Sequence, residues 1–251
     1  MLRAHMRTLQ AAKALLAAQA ERCTEDVIGA LAMLTAETVF FTPRDKEREA
    51  RAARARFMSP DGDHATLLRV LAGYRGTPRG RRGAWCRDHF INIRALSRAA
   101  DVADQLRRGA AAAGMPLKAI AAAGAAEGAS FGEDTAPLRR ALTAGFFLQV
   151  RAVRLPCVFE CALTWAPQVA RRQPDGTYRT LAGSQTVHLH PSSVMFGRSP
   201  APDCILYNEL VRTSKLYVRD VSVIEPSWLS ELAPRFYSAH SIMLPGGQRD
   251  N

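Results

Sequence analysis

Lysine is nearly absent from this chain. Of its 34 basic residues four are Lys (Lys13, Lys46, Lys118 and Lys215), which leaves thirty arginines. None of the four is followed by Ser or Thr, so there is no Gly-Lys-Ser/Thr loop to cradle phosphates, and no Asp-Glu-x-His occurs. No ATP hydrolysis and no ATP or Mg site is therefore expected from these residues. The five cysteines (Cys23, Cys86, Cys157, Cys161 and Cys204) form no Cys-x-x-Cys pair and leave an odd one over, which suits a reduced intracellular compartment better than a disulfide framework. No apolar run approaches the ~20 residues that span a bilayer, so no membrane partner is expected. No Ser/His/Asp or Cys/His set has supporting context, and no catalytic residue is expected. His188 and His190 share a strand face but have no set of Cys or carboxylate ligands beside them, so no metal site is expected either.

What is present is ordinary in bulk and unusual in charge. At 251 residues, 47% apolar and 23% charged, the chain suits one or two globular domains with a proper core. The net charge is +11 and the pI about 10.1. Arg offers a planar fork for phosphate and a face that stacks on bases, which favours nucleic acid as partner. A GC-rich gene would produce the same Arg-for-Lys bias without any such selection, and that alternative stays open.

Periodicity divides the chain in two. Thr24, followed by Glu25 and Asp26, reads as a capped helix start, with Val27, Ile28, Leu31 and Leu34 on one face. A second helix is expected from about Asp45 to Phe57, carrying Arg48, Arg51, Arg54 and Arg56. Asp63 reads as the cap of a helix bearing Leu67, Leu68 and Leu71, and the stretch from Gly73 to Gly83 as a basic loop. One long helix is expected from Trp85 to Gly109, then an Ala/Gly-rich mobile linker over 109–132. Asp134 or Thr135 opens a further helix with Pro137 in its first turn. Beyond it the period shortens: Tyr178–Leu181, Thr186–His190, Cys204–Val211 and Leu216–Ile224 read as strands separated by Pro/Gly turns, before a terminal helix at Pro226.

Several ordered segments carry a resemblance. They include Val39-Phe40-Phe41-Thr42-Pro43-Arg44-Asp45-Lys46, Gly62-Asp63-His64, Phe90-Ile91-Asn92-Ile93-Arg94-Ala95-Leu96, His190-Pro191-Ser192-Ser193 and Tyr207-Asn208-Glu209-Leu210. Together they resemble the C-terminal region of DEAH-box RNA helicases over about four fifths of the chain. The resemblance implies an α+β fold: a helical ratchet-like (HA2-like) bundle over 1–148, then a five-stranded OB-like β-barrel with its terminal helix over 169–236, and a tail over 237–251. It implies RNA contact by Asn92 and Arg94; the alternative for Arg94 is a helix-surface arginine paired along its own helix. On the barrel, Ser192 and Ser193 present hydroxyls from a turn, and Lys215 and Arg219 fall on one strand face by alternation. Tyr217 or Tyr178 would supply stacking. The alternatives are that the Pro-Ser-Ser turn only closes a strand and that the tyrosines are core.

The implied role is to grip single-stranded RNA for an ATP-driven RecA-like motor, with ATP and Mg expected only in that motor, and with a nuclear or nucleolar location. The rival reading is a protein-interaction module that docks helicase activators. A basic N-terminal stretch also admits organellar targeting, though a helix belonging to the fold is the preferred reading. Residues 149–168 match nothing in the family, and removing them restores its spacing. They read as an atypical insert, consistent with a retained intron, and the chain as a whole with a fragment of a longer helicase.

Overall fold

The computed structural model describes residues 2–36, 38–117, 134–147, 149–154, 161–166, 168–181, 184–232 and 234, with backbone alone for 2–8, 149–154 and 161–166. The helical part comprises α1 (Leu2–Ala20), α2 (Thr24–Met33), α3 (Glu47–Ala55), α4 (Asp63–Gly76), a 3-10 turn (Arg79–Arg81), α5 (Arg82–Asp88), α6 (Ile93–Ala112) and α7 (Ala136–Phe146). A ribbon of β1 (Gln149–Arg154) and β2 (Cys161–Ala166) precedes β3 (Val169–Arg172), β4 (Tyr178–Thr180), β5 (Thr186–Leu189), β6 (Cys204–Arg212), β7 (Leu216–Val223) and α8 (Pro226–Leu232).

Several expectations change at this level. α2 begins at Thr24 with acids in its first turn, but no side chain caps it; Thr24 is buried instead. Most of the stretch expected as a basic loop is helical, because α4 runs to Gly76 and α5 starts at Arg82. The long helix is two helices. Phe90 sits at φ 55 and Ile91 bridges to Phe40, so the chain turns extended between α5 and α6. Asn92 then restarts the helix, its Oδ1 accepting from the amides of Arg94 (3.1 Å) and Ala95 (3.3 Å). Residues 109–112 belong to α6, and of the expected linker 118–132 lie outside the described residues, as does the tail 237–251.

The barrel closes in the order β3-β4-β5-β7-β6, antiparallel except for β5 with β7. Alternation along its strands explains which residues fill it. Ala170, Tyr178, Val187, Ile205, Tyr207, Val218 and Val221 form the interior, while the neighbouring Val169, Cys204 and Leu206 join the helical core. That core therefore runs unbroken from Val27, Ile28 and Leu142 through Trp228 and Leu229 to the outer wall of the barrel. Gly145 lets α7 lie against α1, since a Cβ there would stand 2.6 Å from the Ala14 Cβ. Among the described residues the β1–β2 ribbon pairs only with itself. It loops out of the barrel wall, and its base is closed by the Gln168 amide donating to the Phe147 carbonyl at 3.2 Å.

Gly62-Asp63-His64 fastens the barrel to the helices. Gly62 adopts φ 126 and bridges Ser222; a Cβ would lie 2.3 Å from the Val221 carbonyl oxygen. The Asp63 carboxylate, expected to cap α4, instead accepts from the barrel amides of Val194 (2.7 Å) and Val221 (2.8 Å). His64 Nδ1 meets the Ser222 hydroxyl at 2.7 Å. Burial pushes the Asp63 carboxyl up, opposed by the two amides, the Ser193 hydroxyl and Arg54. Burial also lowers His64 to about 4, so the imidazole is neutral.

Candidate nucleic-acid interface

The candidate residues fall in three places. Asn92 and Arg94 stand exposed at the start of α6, with Ile93 exposed between them and the exposed Phe41 edge-on to Phe90 at 5.9 Å. The Asn92 carbonyl oxygen is occupied by capping, whereas the Arg94 guanidinium points to solvent without a hydrogen bond or ion pair among the described residues. Ser192 and Arg219 line a groove of about 720 Å³ between the barrel and the segment after α2, together with Thr38, Phe40, Arg54 and Asn208. Lys215 and Tyr217 line a second cavity of about 420 Å³ on the barrel, with His188, Phe196 and Arg198.

That second cavity sits across the second and third strands of the barrel, β4 and β5, beside the β3–β4 and β6–β7 connections. OB barrels take oligonucleotides at this position. Lys215 is in the turn before β7 and not in the strand, so it and Arg219 do not share a face as the alternation suggested. Tyr178 is fully core: it is buried, its hydroxyl donates to the Pro202 carbonyl at 2.8 Å, and burial pushes its pKa up to about 12. Ser193 is buried, with its hydroxyl held by Asp63 and accepting from the Met195 amide.

A chain of direct contacts joins the three places. Tyr217 is edge-on to the His190 ring at 5.8 Å. His190 Nδ1 accepts from the Ser192 amide at 3.1 Å and meets the Ser192 hydroxyl at 2.7 Å, which places its proton on Nε2. Arg219 Nε reaches the same hydroxyl at 3.5 Å, and Arg54 donates to the Ser192 carbonyl. Arg54 in turn lies over the Phe40 ring at 4.9 Å, and Phe40 bridges Ile91 beside Asn92. Burial first, then the Arg219 charge, lowers the His190 pKa, with Glu209 opposing.

Arg54, His190 and the Phe41–Phe90 pair were not selected from sequence. Nothing in the run Arg48, Arg51, Arg54, Arg56 marks the third as the one reaching the barrel; Arg51, for comparison, pairs with Glu47 in solvent. Among the described residues no group of three His, Cys, Asp or Glu could hold a metal ion, and no helix is long and apolar enough to cross a membrane.

The architecture is that of a helical ratchet-like domain joined to an oligonucleotide-binding barrel. Residues 8–67 match the helicase-associated domain (HA2), ratchet-like, and residues 138–237 match the oligonucleotide/oligosaccharide-binding (OB)-fold family. The chain is 33% identical over 237 residues to the pre-mRNA-splicing factor ATP-dependent RNA helicase DEAH10 of Arabidopsis thaliana, covering 90% of this chain and 29% of that protein. It is 32% identical over 226 residues to the human ATP-dependent RNA helicase DHX33 (90% and 27%). It is 32% identical over 228 residues to the pre-mRNA-splicing factor ATP-dependent RNA helicase prp22 of Schizosaccharomyces pombe (91% and 17%). The chain matches the C-terminal accessory region of DEAH-box RNA helicases, the ratchet-like domain followed by the OB-fold barrel. It spans between 17% and 29% of the length of these relatives, and the matched region does not include a motor domain.

Proposed function

We propose that this region grips single-stranded RNA, by backbone and by stacking, while an ATP-driven motor moves the strand. The observation that carries this reading is the contact chain from Tyr217 through His190, Ser192 and Arg54 to Phe40 and the start of α6. It brings aromatic rings (Tyr217, His190 and Phe40) together with arginines (Arg54 and Arg219), the combination that single-strand binders use because every base has a π-face and every nucleotide a phosphate. Asn92 and Arg94 form one end, Ser192 and Arg219 the middle, and Lys215 and Tyr217 the other end; Ser193 supports the middle from beneath. The helical unit 1–148 and the barrel unit 169–236 act as the two walls. The parent protein is an ATP-dependent RNA helicase acting in nuclear RNA processing, and ATP and Mg bind in its motor domains, not in this chain.

The test is fluorescence anisotropy with a labelled oligouridine across a salt series. Binding should weaken steeply with salt. Arg94→Ala and Lys215→Ala should each weaken it severalfold and flatten the salt slope by about 0.7, the amount expected when one phosphate of a single strand is no longer neutralised. A folded protein that binds no RNA at low salt would refute the reading.

A second reading, a docking module for helicase activators, has one observation in its favour. α1 and α6 enclose an apolar groove of about 330 Å³ lined by Leu15, Val102, Leu106 and Met115, and Leu9 and Leu16 are exposed on α1. Partner binding there would be insensitive to salt.

A further inference from the structure

We propose that Arg54 and Arg219 form a phosphodiester subsite around Ser192, in which Arg54, contributed by the helical part, holds one phosphate of the strand jointly with the barrel. The inference rests on the RNA-gripping reading and adds to it a specific subsite that only the docked arrangement of the two parts creates.

Two arginines from different elements converge on one serine. Arg54 approaches the Ser192 carbonyl from α3, and Arg219 approaches its hydroxyl from β7 at 3.5 Å. Both line the groove of about 720 Å³, which has Thr38 and Asn208 in its walls. Arg54 is the more telling residue. Its Nε is buried and has no hydrogen-bond partner, although a guanidinium donates through five N–H groups. A buried donor left unmatched is unfavourable, and an anion entering beside this guanidinium would supply the missing partner. Burial lowers the Arg54 pKa and the buried Asp63 raises it.

Three carboxylates, Asp63, Glu209 and Asp220, also line the groove, so an anion there must be held by the two arginines directly. Both oxygens of Asp63 are already occupied by the amides of Val194 and Val221. Glu209 is 3.8 Å from Arg219, and both side chains are well exposed (39% for Arg219 and 46% for Glu209). A pair so loose and exposed contributes little, and Arg219 can leave it for a phosphate. The planar forks of two arginines would then hold the anionic oxygens in charge-assisted bonds.

The experiment uses the whole chain, a labelled oligouridine, and the variants Arg54→Gln, Arg54→Lys and Arg219→Gln beside Arg94→Ala. Arg54→Gln and Arg219→Gln should each lower affinity on the order of tenfold at low salt and reduce the salt slope by about 0.7, with Arg54→Lys keeping the slope. A parallel scan replaces one phosphate at a time by a neutral methylphosphonate, which leaves the protein untouched should Arg54→Gln fail to fold. Wild type should show one position of marked weakening, and that weakening should vanish in Arg219→Gln. If wild type and Arg94→Ala behave as the RNA reading requires while Arg54→Gln keeps both affinity and slope, the subsite is wrong and the reading stands. Lower affinity with an unchanged slope would make Arg54 a positioning residue only and overturn the subsite. No binding by folded wild type would overturn both.

Discussion

His64 is a charge-capable side chain held neutral inside the joint between helices and barrel. Its pKa in the folded protein is lowered to about 4 from the ordinary 6.5 by burial alone. The unfolded chain therefore binds a proton that the folded one refuses. Stability is full above pH 6.5 and falls as pH drops toward 4, by a total of about 3 kcal/mol. Urea unfolding at pH 7 and pH 5 should show a loss of about 2 kcal/mol from this group. His64→Gln should remove that part of the pH dependence; an identical loss in wild type and variant would refute the assignment. Residue identity alone did not disclose this role. Gly-Asp-His reads as a turn and a helix cap, because the partners of Asp63 and His64 lie about 130 to 160 positions away, at Val194, Val221 and Ser222.

Two elements make opposite predictions about tolerance. The turn at Gly62 is the tightest point of the joint, with positive φ and the Val221 carbonyl where a Cβ would be. Gly62→Ala should therefore destabilise by about 3 kcal/mol or more, read as a drop in the thermal midpoint and a loosened barrel. A midpoint within a degree of wild type would contradict the close approach. The β1–β2 ribbon should be dispensable, since among the described residues it pairs only with itself and its base is closed by the Phe147–Gln168 bond. Deleting 150–167 should leave the far-UV circular dichroism of the barrel and its thermal midpoint nearly unchanged; unfolding of the protein would show that the ribbon supports the wall. Sequence marked these residues as foreign, and the pairing of β3 with β6 shows that the barrel wall closes without them. The α5–α6 break was hidden for a related reason. Trp85 to Gly109 has no Gly or Pro inside it before Gly109, and the turn arises where Phe90 takes positive φ so that Ile91 can pair with Phe40.

For the whole molecule the decisive feature is that one apolar core serves both halves. Val169, Cys204 and Leu206 of the barrel wall pack in the same cluster as Leu142, Trp228 and the residues of α2. Unfolding followed by circular dichroism, which sees the helices, and by tryptophan fluorescence should therefore give one shared midpoint. Two separated midpoints would show that the halves fold independently. The two-part architecture was legible from sequence, because a 3.6-residue period before about 148 gives way to alternation and turn clusters after it, and periodicity is a local property. Strand positions were legible for the same reason, and Lys215 was misplaced only because a turn residue next to a strand carries the same alternation. Family resemblance was legible in ordered short motifs. Which arginine of α3 faces the barrel, which tyrosine is core and which is half exposed, and how Asn92, Ser192 and Tyr217 come to lie along one contact chain were decided by tertiary structure. These depend on contacts between residues far apart in the chain, set when apolar faces dock and the buried Asp63 and His64 find partners across the joint, and no local pattern encodes them.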